Sequence, residues 1–178
     1  VESIQYSKIN YYPNPMPLKI LKKETFLKML ENSIGSKIFN SLLAADENGV
    51  VKDILNDAEF SCAFFVSNIL TLFEFLPRPR ATVKSLREEL LTKNKLSFVI
   101  PERSDGISSI EAGDIIFWEN KKHEDGTETE HVGFALNNSE AVSTSFKEHC
   151  VTRHDITYGK SESGTPNRPI TLILRPTF

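Results

Sequence analysis

The chain has 178 residues, 39% hydrophobic and 25% charged, with a formal net charge of −3. That length is enough for one domain with a real core, and the mild acidity gives no basic face for nucleic acid or an anionic membrane. No apolar run approaches the roughly 18 residues that a membrane span needs. The chain begins at Val1 rather than methionine, which predicts a segment trimmed from a longer precursor and leaves localisation open. Two cysteines, Cys62 and Cys150, are too few for a disulfide framework. An oxidising compartment permits one bridge between them, a reducing one two free thiols.

Residues 1–17 contain "YYPNPMP" and read as an extended, turn-rich lead-in. From Thr25 to about Ala45, Phe26, Leu27, Leu30, Ile34, Ile38, Phe39, Leu42 and Leu43 recur at helical spacing, with Gly35 as a point of division. "ENGVVKDILND" reads as a turn and a short amphipathic piece. Ser61 to Leu76 is apolar nearly all round, which predicts a buried helix, stopped by Pro77 and Pro79. A third helix is predicted over Thr82 to Asn94, with Val83, Leu86, Leu90 and Leu91 on its apolar face.

The pattern then turns to strands. "DIIFW" (114–118), "HVGFAL" (131–136), "EAVSTSF" (140–146) and "PITLILRP" (169–176) are short, β-branched or aromatic, and bounded by turn residues. Asn137-Asn138-Ser139 marks a hairpin turn. The stretches 119–130 and 158–169 read as polar loops. Helices over 18–95 followed by strands over 96–178 predict a single α+β domain, its helices packed on one face of an antiparallel sheet.

Cys62 stands at the head of the buried helix in "EFSCAFFVSNIL". An unaided thiol is only about 3% thiolate at pH 7 and is a poor nucleophile. Unpaired N–H groups at a helix start favour a negative charge there, with Asp57 or Ser61 as the cap. Asp57 and Glu59 oppose it as like charges, so the thiol pKa has to be lowered by a cation elsewhere, and histidine is the usual partner. His131 opens a predicted strand directly after a polar loop, at a sheet edge where its ring can face a helix terminus.

"SCAFFVSNIL", "EAGDIIFWEN" and "HVGFALNN", in that order, resemble the papain-like cysteine hydrolases of the NlpC and CHAP types. The matching residues are Cys62, Gly113-Asp114 with Ile115 to Trp118, and His131 with Val132 and Gly133, within roughly Asp57 to Ser145. The order of cysteine before histidine argues against the circularly permuted acyltransferase relatives. The resemblance implies a papain-like fold, Cys62 as nucleophile, His131 as general base, and an amide bond of bacterial cell-wall peptide as substrate. It implies no metal or organic cofactor, and a secreted or cell-envelope location if the cell-wall reading holds.

Those families place an orienting His, Asn, Gln, Asp or Glu on the strand after the histidine. Here the position falls in "VSTS". A three-residue turn at 137–139 pairs residue 131 with 145 and puts Ser143 on the face of His131; a two-residue turn selects Thr144 instead. A hydroxyl accepts from a ring N–H but supplies no charge. His154, beside Asp155 in "TRHDITYG", is the alternative orienter. His149, Cys150 and His154 do not form a recognised zinc spacing, and His123 lies in a charged loop. Trp118 reads as core. Phosphate-loop and dinucleotide fingerprints are absent. Two readings follow: a cysteine amidase or peptidase acting through Cys62 and His131, or the same fold kept as a binding or interaction module with a decayed site.

Overall fold

The computed structural model describes residues 18–92, 96–98, 109–122 and 128–178; the predicted lead-in over 1–17 and His123 lie outside them. In chain order the elements are α1 (Lys22–Asn32), β1 (Leu43–Ala45), β2 (Val51–Asp53), α2 (Cys62–Leu72), α3 (Val83–Leu90), β3 (Leu96–Phe98), β4 (Ile115–Lys122), β5 (Glu128–Ala135), β6 (Glu140–Ser145), β7 (Cys150–Asp155) and β8 (Ile170–Pro176). β1 and β2 form a small hairpin. The other strands make one antiparallel sheet in the order β3-β8-β4-β5-β6-β7.

Four successive apolar residues, Ile115 to Trp118, suit a strand only when both of its faces are covered. Ile115 and Phe117 pack with Val132, Phe134, Val142 and Val151 against the helices. Ile116 and Trp118 point the other way, into a smaller cluster with Ala135, Ala141, Ile156 and Ile173. The second cluster is closed by Tyr158 and Ile170, so the segment between β7 and β8 covers the face the helices leave open.

α2 buries Cys62, Ala63, Phe65, Val66, Ser67, Ile69 and Leu70, as its uniformly apolar sequence demands. It packs across β5 and β6, with the Phe65 ring edge-on to Phe134 and to Phe39. α1 contributes Phe26, edge-on to Phe134, and packs over Gly113. A Cβ on that glycine would meet Phe26 and Leu27 at 3.1 Å, and its φ of +93° is the left-handed region that glycine tolerates best. Next to it, Asp114 is buried and takes a bidentate pair from Arg175, Nε to Oδ1 and Nη2 to Oδ2, both 2.8 Å. The Gly-Asp step therefore ties the start of β4 to β8.

Several boundaries differ from the sequence pattern. The helical spacing over 25–45 ends early: α1 stops at Asn32, Gly35 takes φ +83°, and residues 43–45 enter a hairpin instead. Asp46 holds that hairpin by accepting from the N–H groups of Asn48 and Val50, so the expected amphipathic piece is half a strand pair. α2 ends at Leu72, ahead of Pro77, where Glu74 turns to φ +63°. α3 begins at Val83, capped by Thr82 accepting from Ser85 N–H, and buries Val83, Leu86 and Leu90 while Leu91 stays exposed. β4 and β5 run on into the predicted charged loop through the pairs Lys121↔Thr129 and Lys122↔Glu128. Among the described residues, no helix is long and apolar enough to cross a membrane.

Candidate active site

Cys62 is the first residue of α2 and is 6% exposed. The approach to it is tightly shaped. Asp53 accepts from the N–H groups of Leu42, Leu55 and Asp57, and these bonds hold its carboxylate down to about 2. Asn56, Asp57 and Ala58 then take three successive positive φ values, uncommon for residues with a Cβ. Of the two predicted caps Ser61 is the N-cap residue, but its side chain makes no capping bond and Ser61 Oγ donates back to Ala58 O; Asp57 pairs with His149 at 3.2 Å.

The ladder between β5 and β6 comprises Phe134↔Val142 and Ala135↔Ala141. The N–H groups of Val132, further along β5, and of Ala63 and Cys62 itself favour the charged form of the Cys62 thiol. α2 packs on β5, so the thiol lies near the stretch of β5 that follows His131. No hydrogen bond joins the sulfur to the His131 ring. Burial pushes the Cys62 thiol up, against the opposing pull of those N–H groups and of Arg168. The lowered thiol pKa expected from the sequence is therefore not found, because the helix head is sealed from water.

His131 lies inside β5, opposite Trp118, rather than at the strand's opening. Its ring is tilted over the Trp118 indole at 5.4 Å, and the indole N–H donates to Ile156 O at 2.7 Å. Trp118 is core, as expected, but it is also the floor of the site. His131 Nε2 lies 2.9 Å from Ser143 Oγ. The observed register, Phe134 with Val142, is the one a turn at 137–139 produces, and it selects Ser143 rather than Thr144.

Ser143 Oγ also lies 2.9 Å from His154 Nε2 and 3.2 Å from Tyr158 OH. The two alternative orienters are thus joined through one hydroxyl. The register of β6 against β7, Ser143↔Thr152 and Ala141↔His154, delivers the second histidine. Tyr158, at φ +61°, stacks on His154 at 4.0 Å. Its turn is held by Asp155 Oδ1, which accepts from Thr157 and Gly159 N–H. Gly133 makes room for all this. A Cβ there would fall 2.5 Å from Val142 O, 2.9 Å from Ser143 Cβ and 3.0 Å from the Trp118 ring.

Burial holds His131 well below the ordinary histidine value, with Arg168 and His154 adding to it. Burial also lowers His154, opposed by Asp155. Arg168 is the shared cation: it donates to Glu119 O and Thr129 O and lies 5.9 Å over the Tyr158 ring. With Tyr158, Asn167, Asn120, Lys121 and Lys122 it lines a cavity of about 650 Å³. Tyr158 and Arg168 carry no local sequence signal that singles them out; Gly133 belongs to the matching His-Val-Gly stretch, and its packing against β6 is what the structure adds.

The remaining candidates go elsewhere. Cys62 and Cys150 are free thiols. His149 turns to Asp57 and His154 to Ser143, and no group of three His, Cys, Asp or Glu side chains among the described residues is placed to hold a metal ion. No family model, curated protein or solved structure matches the chain.

Proposed function

We propose that the domain is a papain-like cysteine hydrolase of the NlpC/CHAP kind, cleaving an amide bond in a cell-wall peptide or a related peptide. The observation that carries this reading is Cys62 at the head of α2, which packs on β5, the strand that carries His131, whose ring is anchored on Ser143. A cysteine at the head of a helix packed on the histidine's strand, with the ring held at Nε2 by a hydroxyl, fits the arrangement of nucleophile, base and orienter.

With the thiol pushed up and the imidazole pushed down, both are neutral before reaction. The proton moves as the sulfur attacks: His131 takes it, the S–C bond forms, and the carbonyl electron pair moves to oxygen. The N–H groups at the head of α2 stabilise that oxyanion. Collapse breaks the C–N bond, and His131 returns the proton to the leaving amine. Water, activated by the same ring, then cleaves the thioester and restores the thiol.

The test is release of new amino groups from purified peptidoglycan and from its stem peptides, by wild type and Cys62→Ala. Release by wild type alone supports the reading. Equal release by both, or none by either, sinks it.

A second reading is a binding module on the same fold. It is favoured by the 6% exposure of Cys62 and by a hydroxyl where those families place His, Asn, Gln, Asp or Glu. It predicts retention on peptidoglycan without turnover.

A further inference from the structure

The hydroxyl of Ser143 touches three polar groups, and counting protons leaves one way to satisfy them. His154 Nδ1 lies 2.8 Å from the backbone oxygen of Asp155. A carbonyl only accepts, so Nδ1 carries a proton. A neutral His154 then has a bare Nε2, and Ser143 must donate its single proton to it across 2.9 Å. The two lone pairs of Ser143 are left to accept from Tyr158 OH and from His131 Nε2. His131 is thereby the Nε2–H tautomer, with Nδ1 bare.

We propose that His154 is a positioning residue: acting through the Ser143 hydroxyl, it fixes the proton of His131 on Nε2 and leaves Nδ1 as the base, and its own protonation reverses the chain and occupies that base. When His154 takes a proton, both of its nitrogens donate. Ser143 now accepts from His154 and from Tyr158, and its own proton turns toward His131 Nε2. His131 can accept it only as the Nδ1–H tautomer. There is no net gain at His131: its Nε2 proton passes to Ser143 as the Ser143 proton passes to His154, a solvent proton arrives on Nδ1, and the nitrogen that must receive the thiol proton is filled. Tyr158 sets the direction in this scheme by directing its hydroxyl proton at Ser143, 3.2 Å away, in both states.

The groups facing His154 determine when this happens. On its own strand Asp155 favours the charged ring; Arg168 from the segment before β8 opposes it, as does burial. His131 faces it from β5 through Ser143 of β6, Trp118 from β4 is 5.5 Å away, and Tyr158 covers its face. Asp155 favours the charged ring of His154, while only burial, Arg168 and His154 act on His131, all against its charge, so His154 takes the first proton on acidification.

The loss of function rests on the hydrolase reading; the proton arrangement does not, and the test separates them. Long-range ¹H–¹⁵N correlation spectra of the ¹⁵N-labelled protein report the tautomer of each imidazole. At about pH 8, well above the ordinary histidine value, we expect His131 as Nε2–H and His154 as Nδ1–H. On acidification His154 should become the cation first, while His131, still neutral, converts to Nδ1–H with the same midpoint. In Ser143→Ala that conversion should disappear. His131 as Nδ1–H at the start, or unmoved while His154 titrates, overturns the proposal. The functional arm is acylation of Cys62 by 4-nitrophenyl acetate, read as nitrophenolate release. In His154→Gln, whose amide oxygen can accept from Ser143, the acid limb should move to lower pH; an unmoved limb overturns the switch. A Cys62 inert to the ester at every pH counts against the hydrolase reading, and the tautomers still decide the proton arrangement.

Discussion

Gly133 on β5 and Ser143 on β6 face each other so closely that a methyl group on the first would lie 2.9 Å from Cβ of the second. The same methyl would fall 2.5 Å from the Val142 carbonyl, which is backbone and cannot swing aside. Gly133→Ala should therefore cost roughly 1–3 kcal/mol, as overpacking of a filled core does. It should also part Ser143 from His131. Chemical denaturation reads the first effect as a lower midpoint. A variant as stable as wild type would mean that β5 and β6 have slack the structure does not contain.

The second expectation concerns the thiol. Because burial pushes Cys62 up, it is not a preformed thiolate, and iodoacetamide, which needs one, should label it more slowly than the half-buried Cys150 at neutral pH. In denaturant the two should label alike. Mass spectrometry of the labelled peptides measures both rates. Fast labelling of Cys62 below about pH 7, where a free thiol is barely ionised, would replace the neutral pair by a thiolate–imidazolium pair.

How far the sequence announced this arrangement depends on the signal each part carries. α2 is legible from its unbroken apolar run and α3 from the helical spacing of Val83, Leu86 and Leu90. The turn at 137–139 fixes the β5–β6 register, and with it the choice of Ser143 over Thr144. β1 and β2 are three residues each and almost wholly exposed, so there is no buried alternation to read. β7, "CVTRHD", buries only Val151 and looks like polar loop. That omission hides the junction: without β7 in register, Ser143 and His154 read as rivals when they are partners. Tyr158 and Arg168 reach the site from a segment whose path depends on Asp155 and on two strand carbonyls, which local pattern does not encode.

Stability should fall in two separate acid windows. His131 and His154 are held below the unfolded histidine value of about 6.5. The unfolded chain therefore binds more protons just below that pH, and stability drops as pH falls through it. Asp53 works further down: its carboxylate sits at about 2, so its contribution is present above the unfolded value of about 3.9 and is lost as pH falls from there. Thermal melts across pH should show both slopes. His131→Gln should flatten the upper one and Asp53→Asn the lower; an upper slope unchanged in His131→Gln would show that the ring is not buried neutral.

The last expectation separates partners in series from partners in parallel. A single neutral hydrogen bond contributes about 0.5–1.5 kcal/mol, roughly twofold to tenfold in rate at 1.4 kcal/mol per tenfold. Ser143→Ala removes more than that one bond, because His131 loses the group that selects its tautomer while His154 and Tyr158 lose their shared partner. Its loss in Cys62 acylation should exceed about tenfold. His154→Gln should cost less at neutral pH, since an amide oxygen can still accept from Ser143. If His154 acts only through Ser143, then once Ser143 is alanine the second substitution has nothing left to disconnect. The double variant should then be no slower than Ser143→Ala, an interaction energy that cancels the whole effect of His154→Gln. Additive losses would mean that His154 reaches the reaction by a route of its own, and that Ser143 orients His131 unaided.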